Sequence, residues 1–224
     1  MCGLNHENLI KLYGIVLDFK QCNSTISSGI IMVTELAAKG SLYNYLKRFR
    51  KHKRLLPISK LNSYILQIAC GMDYLEQNKL IHRDLACRNI LLCSSDQIKI
   101  CDFGMTRNVN RTNGSYTMTE THKIPCAWYP PESIKSKVFS VKSDVWMFAV
   151  TSWEILSMCE HPWANMNAVE ILNAIESEGK QLDIPDLCSR NFYSLLQRCW
   201  SISALERPSF HAIKSLIKQV TIFL

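Results

Sequence analysis

No run of apolar residues in this 224-residue chain approaches the ~20 needed to cross a bilayer. A charged-then-apolar leader of the secretory type is also missing, so neither secretion nor membrane spanning is expected. Gly-x-Gly-x-x-Gly occurs nowhere, which excludes a glycine-rich phosphate cradle of that type within these residues. Ten cysteines are present, yet no two stand as Cys-x-x-Cys, and their long spacings do not resemble a secreted disulfide scaffold. They read as reduced cytosolic thiols, with no zinc or redox motif. Glycosylation sequons begin at Asn23, Asn110 and Asn113; without a leader they read as chance matches in loops.

What is present suits one principal domain, because 47% hydrophobic content over this length can bury a sizeable core. The net charge of +7 is concentrated in Lys47-Arg48-Phe49-Arg50-Lys51-His52-Lys53-Arg54, a solvated helix end and loop, and no nucleic-acid partner is expected. Residues 1–8 read as the tail of a helix and a turn, 9–17 as a strand, 20–28 as a polar loop and 29–36 as a second strand. Ser41 caps a short helix over 42–46. Ile58, Leu61, Ile65, Ile68, Met72 and Leu75 recur at steps of three and four, which predicts an amphipathic helix over 57–77. From Ser140 a helix apolar on most sides, hence buried, is expected, with further helices near 168–177, 191–200 and 209–220.

Between these helices lies Ile81-His82-Arg83-Asp84-Leu85-Ala86-Cys87-Arg88-Asn89-Ile90-Leu91-Leu92, followed by Asp102-Phe103-Gly104. Strand-like runs at 90–93 and 97–101 frame two carboxylates, one carboxamide and two guanidiniums. Such an inventory suits phosphoryl transfer, which asks for positioning and charge stabilisation more than covalent chemistry. Asp84 can take a proton from an attacking hydroxyl, while Asn89 and Asp102 offer the hard oxygens that Mg²⁺ prefers.

His-Arg-Asp, an Asn five positions after that Asp, and Asp-Phe-Gly in this order resemble a protein kinase catalytic domain. The fold so implied is α+β and protein-kinase-like: part of a small β-rich N-lobe over 1–36, a hinge at 37–40, a largely helical C-lobe over 41–220 and a tail at 221–224. ATP and Mg²⁺ are the implied cofactors. Leu85-Ala86-Cys87-Arg88-Asn89 is similar to the Leu-Ala-Ala-Arg-Asn form of tyrosine kinases, so protein substrates with an acceptor tyrosine are expected.

The resemblance assigns the base to Asp84, support of the acceptor or γ-phosphate to Arg88, and Mg²⁺ ligation to Asn89 and Asp102. Thr34 takes the gatekeeper position, the backbone of Glu35 and Ala37 meets adenine at the hinge, and Leu91 floors its pocket. Tyr116 matches an activation-loop phosphorylation site, its phosphate received by Arg83 with Arg107 or Lys123. Pro125 and Trp128 form the platform beneath the substrate. His82, Phe103 and Gly104 are structural, Asp144 anchors the backbone of His82-Arg83, and Glu132 with Arg207 forms a buried ion pair.

Met32-Val33-Thr34-Glu35-Leu36-Ala37, Pro125-Cys126-Ala127-Trp128 and Trp146-Met147-Phe148 resemble the Ack/Tnk group of non-receptor tyrosine kinases. Pro130, Ala149 and Met105 depart from the wider pattern without touching a catalytic atom. That group implies a cytoplasmic setting, with peripheral membrane association as an option, and admits a small Rho-family GTPase as partner of the parent protein through regions outside this chain. The family's glycine-rich loop, phosphate-pairing lysine and its glutamate are expected upstream of Met1. The alternative expectation is an inactive, pseudokinase-like scaffold or interaction fragment.

Overall fold

The computed structural model describes residues 3–22, 25–109, 114–119 and 124–222, and the side chains of 17–29 and 220–222 are not described. Strands β1 (Leu12–Cys22) and β2 (Thr25–Thr34) pair antiparallel from Leu12↔Thr34 to Cys22↔Thr25. The polar loop expected over 20–28 is thus largely hairpin, because backbone groups make the ladder and polar side chains do not forbid it. The first strand starts later than expected, since Leu9 and Ile10 are drawn into the body of the protein. Ile10 N–H donates to Ile100 O at 2.9 Å and Ile100 N–H to Asn8 O at 2.8 Å. Residues 3–8 form turns and no helix. Ile15, Val16, Ile30, Ile31, Met32 and Val33 are all exposed. Because neighbours in a strand point to opposite faces, both faces of the ribbon present apolar surface.

Helix α1 (Leu42–Lys51) runs a full turn beyond expectation into the basic stretch, where Arg48, Arg50 and Lys51 meet the negative end of its dipole. Ser41 Oγ caps it by accepting Asn44 N–H at 3.3 Å. Helix α2 (Ile58–Gln77) has the expected span and buries Leu61, Ile65, Ile68, Met72 and Leu75. Gly71 lets it approach the Asn8–Leu9 turn and the sheet: a Cβ there would stand 2.9 Å from Ile100 Cδ1 and 3.2 Å from Asn8 O. Gly71→Ala is therefore expected to destabilise the protein by about 1–3 kcal/mol despite alanine's better helix propensity, read as a lowered denaturation midpoint with unchanged slope. A midpoint at or above that of the unaltered protein would show that the contact relaxes freely.

Strand β3 (Leu80–Ile81) leads into the Asp84 loop, and β4 (Ile90–Leu92) pairs with β5 (Ile98–Ile100) to close the hairpin that carries Asp102. Two pairings join distant segments: β6 (Arg107–Asn108) with β3, and β7 (Ser115–Thr117) with β8 (Val138–Ser140). Between them stands the short helix α3 (Pro131–Ser136). Helix α4 (Val141–Leu156) starts from a Ser140–Ser143 capping box, and every residue from Ser143 to Leu156 is buried. Helices α5 (Ala168–Glu176), α6 (Arg190–Cys199) and α7 (Phe210–Ile222) complete the body, with α7 packed along α2 and α6 against α4.

Candidate active site

The loop from His82 to Asn89 is fixed from below by α4. Asp144 accepts the N–H groups of His82 at 2.8 Å and Arg83 at 2.9 Å, which stabilises Arg83 in a left-handed conformation (φ 73°). Burial pushes the Asp144 carboxyl up to about 7, against the pull of those two N–H bonds and the Arg83 charge. His82 is fully buried, and its Nδ1 accepts Asp84 N–H at 3.2 Å. The proton therefore sits on Nε2, which donates to Cys101 O at 3.0 Å, and burial lowers the imidazole pKa. Phe103 packs edge-on against that ring at 5.4 Å. Tyr129, which no motif marks, donates its hydroxyl to Arg83 O at 2.6 Å.

On this base Asp84 is held from two sides. Its Oδ1 accepts Arg88 Nη2 at 2.5 Å, and Asn89 Nδ2 donates to both Asp84 Oδ2 and Asp84 O at 2.7 Å. A carboxylate has about four acceptor sites, so capacity remains for a substrate hydroxyl. Asn89 spends its amide nitrogen on Asp84, so any cation ligation by this side chain would fall to its oxygen. The β4–β5 register puts Asn89 and Asp102 at the same end of one hairpin, where Cys101 N–H donates to Asn89 O at 2.9 Å. Asp102 is exposed, in a left-handed conformation (φ 60°), and its Oδ1 accepts Gly104 N–H at 3.4 Å.

One carboxylate and one carboxamide oxygen at the same hairpin end fit Mg²⁺ that is completed by phosphate oxygens and water. Among the described residues no group of three or more His, Cys, Asp or Glu could hold a metal ion.

The side that the resemblance assigns to adenine is less enclosed. Thr34 is exposed at the end of β2. Glu35 N–H donates to Lys11 O, and Ala37 O accepts Gly40 N–H at 3.2 Å. Leu91 is half-buried on the face of β4 opposite Ile90 and Leu92, bridged to Ser41 beside the hinge. The Glu35 side chain has a role that sequence reasoning missed: Oε1 takes Lys99 Nζ at 2.9 Å and Lys11 N–H at 2.6 Å, tying hairpin and hinge to β5. Desolvation pushes its carboxyl up, but the bonds and charges of Lys99 and Lys11 together outweigh it and hold the carboxyl below the usual range.

Arg83 is buried, with its guanidinium 4.4 Å from the centroids of both Tyr116 and Phe139. Arg107 approaches the Tyr116 ring at 5.4 Å, and pairing with Phe139 across β7–β8 places that ring. Lys123 and the three sequon asparagines lie outside the described residues. Pro125 opens the turn that carries Trp128, whose ring lies 4.9 Å from the Arg88 guanidinium. At the far edge of the body Arg207 donates to Glu132 Oε1 at 2.7 Å and Oε2 at 3.0 Å.

A family model described as protein tyrosine and serine/threonine kinase matches residues 1–217. The chain belongs to that kinase family. Among its relatives, the Activated Cdc42 kinase Ack of Drosophila melanogaster is 41% identical over 221 residues, which cover 99% of this chain and 20% of the fly protein. Non-receptor tyrosine-protein kinase TNK1 of Mus musculus is 40% identical, covering 98% of this chain and 31% of its own length. Tyrosine-protein kinase sid-3 of Caenorhabditis elegans is 39% identical over 94% of this chain and 16% of that protein. The chain thus spans less than a third of the length of these relatives, and the family match takes in the loop that Asp144 supports.

Proposed function

We propose that the protein carrying this chain transfers the γ-phosphate of ATP to tyrosine hydroxyls of protein substrates. The observation that carries the reading is the Asp84–Arg88–Asn89 cluster, a carboxylate oriented by two donors and open to a hydroxyl, beside the Asp102 hairpin. Asp84 would accept the phenolic proton as attack proceeds. Asn89 and Asp102 would hold Mg²⁺, which supplies charge neutralisation of the phosphates when bound. The choice of tyrosine is supported by Arg88, which bridges the base and the Trp128 platform, and by the tyrosine kinases among the relatives.

Apolar side chains exposed on both faces of β1–β2 offer the surface on which the remainder of a small lobe would pack. No helix among the described residues is long and apolar enough to cross a membrane. A cytoplasmic enzyme, with a small Rho-family GTPase contacting regions outside this chain, fits a relative named Activated Cdc42 kinase. Full-length protein incubated with Mg·ATP and matched peptides differing only in Tyr, Ser or Thr tests the reading. Phosphate on the tyrosine peptide alone is expected; none on any peptide would favour a non-catalytic scaffold.

The same site carries a proposed switch. With Arg83 and Arg107 both over its ring, Tyr116 stands where a phosphate would exchange cation–π contact for charge-assisted hydrogen bonds. Tyr116→Phe should remove any gain in rate that phosphorylation confers. Equal rates for the phosphorylated and unphosphorylated forms of the unaltered protein would assign Tyr116 to packing alone.

A further inference from the structure

Helix α4 buries a second carboxylate that the chemistry described so far does not use. Glu154 is 1% exposed and stands in the last turn of the helix. Its Oε2 accepts two donors from different segments: Cys87 N–H in the catalytic loop at 3.0 Å and Trp128 Nε1–H in the substrate platform at 2.8 Å. Among the described residues no cation is bonded to it, and burial pushes its carboxyl up to about 7 while the two N–H donors and the Arg88 charge pull the other way. A buried carboxylate without an ion-pair partner is costly, and an apolar side chain would fill the same space more cheaply. The backbone around it is also held tightly. Glu154 O accepts Cys159 N–H at 2.6 Å, in a turn where Met158 (φ 55°) and Cys159 (φ 61°) both adopt the left-handed region.

The two bonds at Oε2 close a circuit. Trp128 turns its Nε1 to Glu154, receives Arg88 on its face at 4.9 Å and meets His161 edge-on at 5.1 Å. Arg88 in turn pairs with Asp84 Oδ1, and the chain returns to Glu154 through Cys87 N–H. The base and the platform are thus referenced to one oxygen atom. Without it the indole could rotate about its two side-chain torsions, carrying the surface under the substrate away from Asp84.

We infer that Glu154 is a positioning residue that sets the distance between the Trp128 platform and the Asp84 base, and so the placement of the acceptor residue's peptide. The inference rests on the kinase reading above. Glu154→Gln keeps the shape and an acceptor oxygen but removes the charge that strengthens both bonds, and Trp128→Phe removes one of the bonds from the other side.

In full-length protein, Glu154→Gln is expected to raise KM for a tyrosine peptide about tenfold while KM for ATP stays within about twofold, because the nucleotide does not rest on Trp128. Trp128→Phe should act in the same direction, and the double variant should be no worse than the weaker-binding single, since both remove one linkage. A parallel rise of both KM values with a lowered melting temperature would reduce Glu154 to a structural residue and overturn the inference, as would additive effects. Should Glu154→Gln fail to fold, an unchanged peptide KM in Trp128→Phe overturns it as well. Absence of turnover in the unaltered full-length protein would instead sink the kinase reading, and this inference with it.

Discussion

Full-length protein carrying Asp84→Asn is expected to lose about 10²-fold or more in turnover while binding ATP nearly as well as the unaltered protein. The amide is almost the shape of the carboxylate but is a far weaker base, so the proton of the attacking phenol has nowhere to go. Geometry adds a second loss. Arg88 Nη2 and Asn89 Nδ2 both donate to Asp84, one to each oxygen. Asparagine offers a single acceptor oxygen, so one of those donors must face an NH₂ group. Either Arg88 leaves the platform side or Asn89 turns, and turning Asn89 displaces the oxygen assigned to Mg²⁺. Single-turnover phosphorylation and nucleotide titration separate the outcomes. Loss of chemistry with retained binding fits a base, whereas a variant within a few-fold of normal turnover would remove Asp84 from that role.

Much of this arrangement was legible because it is encoded locally. The three-and-four spacing from Ile58 to Leu75 and the apolar run after Ser140 name their helices directly, and the short motif around Asp84 names the family. Asp144 could be singled out as a polar residue in an apolar helix that must find partners. Glu154 carried the same signal ten residues later in the same helix, and the reasoning that found one carboxylate would have found the other. Features that depend on distant pairing left no local trace. Strands β3 and β6 are two residues each, too short for any alternation, and β7 meets β8 across a gap that sequence spacing does not reveal. The extension of β1–β2 through polar residues is not legible in composition, because turn-forming residues do not stop the backbone from continuing its pairing. The Glu35–Lys99 pair joins residues 64 positions apart, so it could only be seen once the hinge was laid against β5.

The residue whose loss should cost most in stability lies far from the chemistry. Arg207 has a side chain wholly removed from solvent, and every one of its guanidinium nitrogens is spent. Nε donates to Ser201 O at 2.8 Å, Nη1 to Lys142 O at 3.0 Å and Glu132 Oε1, and Nη2 to Ile202 O at 3.4 Å and Glu132 Oε2. The plane also rests 5.0 Å from the Trp146 ring. One side chain therefore joins α3, the start of α4 and the turn before α7. Arg207→Met would fill much of the volume but donate nothing, leaving a half-buried carboxylate and three carbonyls to find water in a closed corner. Removing one partner of a buried pair costs about 3–5 kcal/mol, a large share of the 5–15 kcal/mol that stabilises an ordinary domain. Chemical denaturation should show that loss as a lower midpoint, and the protein should become prone to aggregation at physiological temperature. Glu132→Gln, which keeps an acceptor for the guanidinium, should cost clearly less. Were Arg207→Met to unfold at the midpoint of the unaltered protein, the pair would be dispensable and the corner would owe its order to packing around the Trp146 ring.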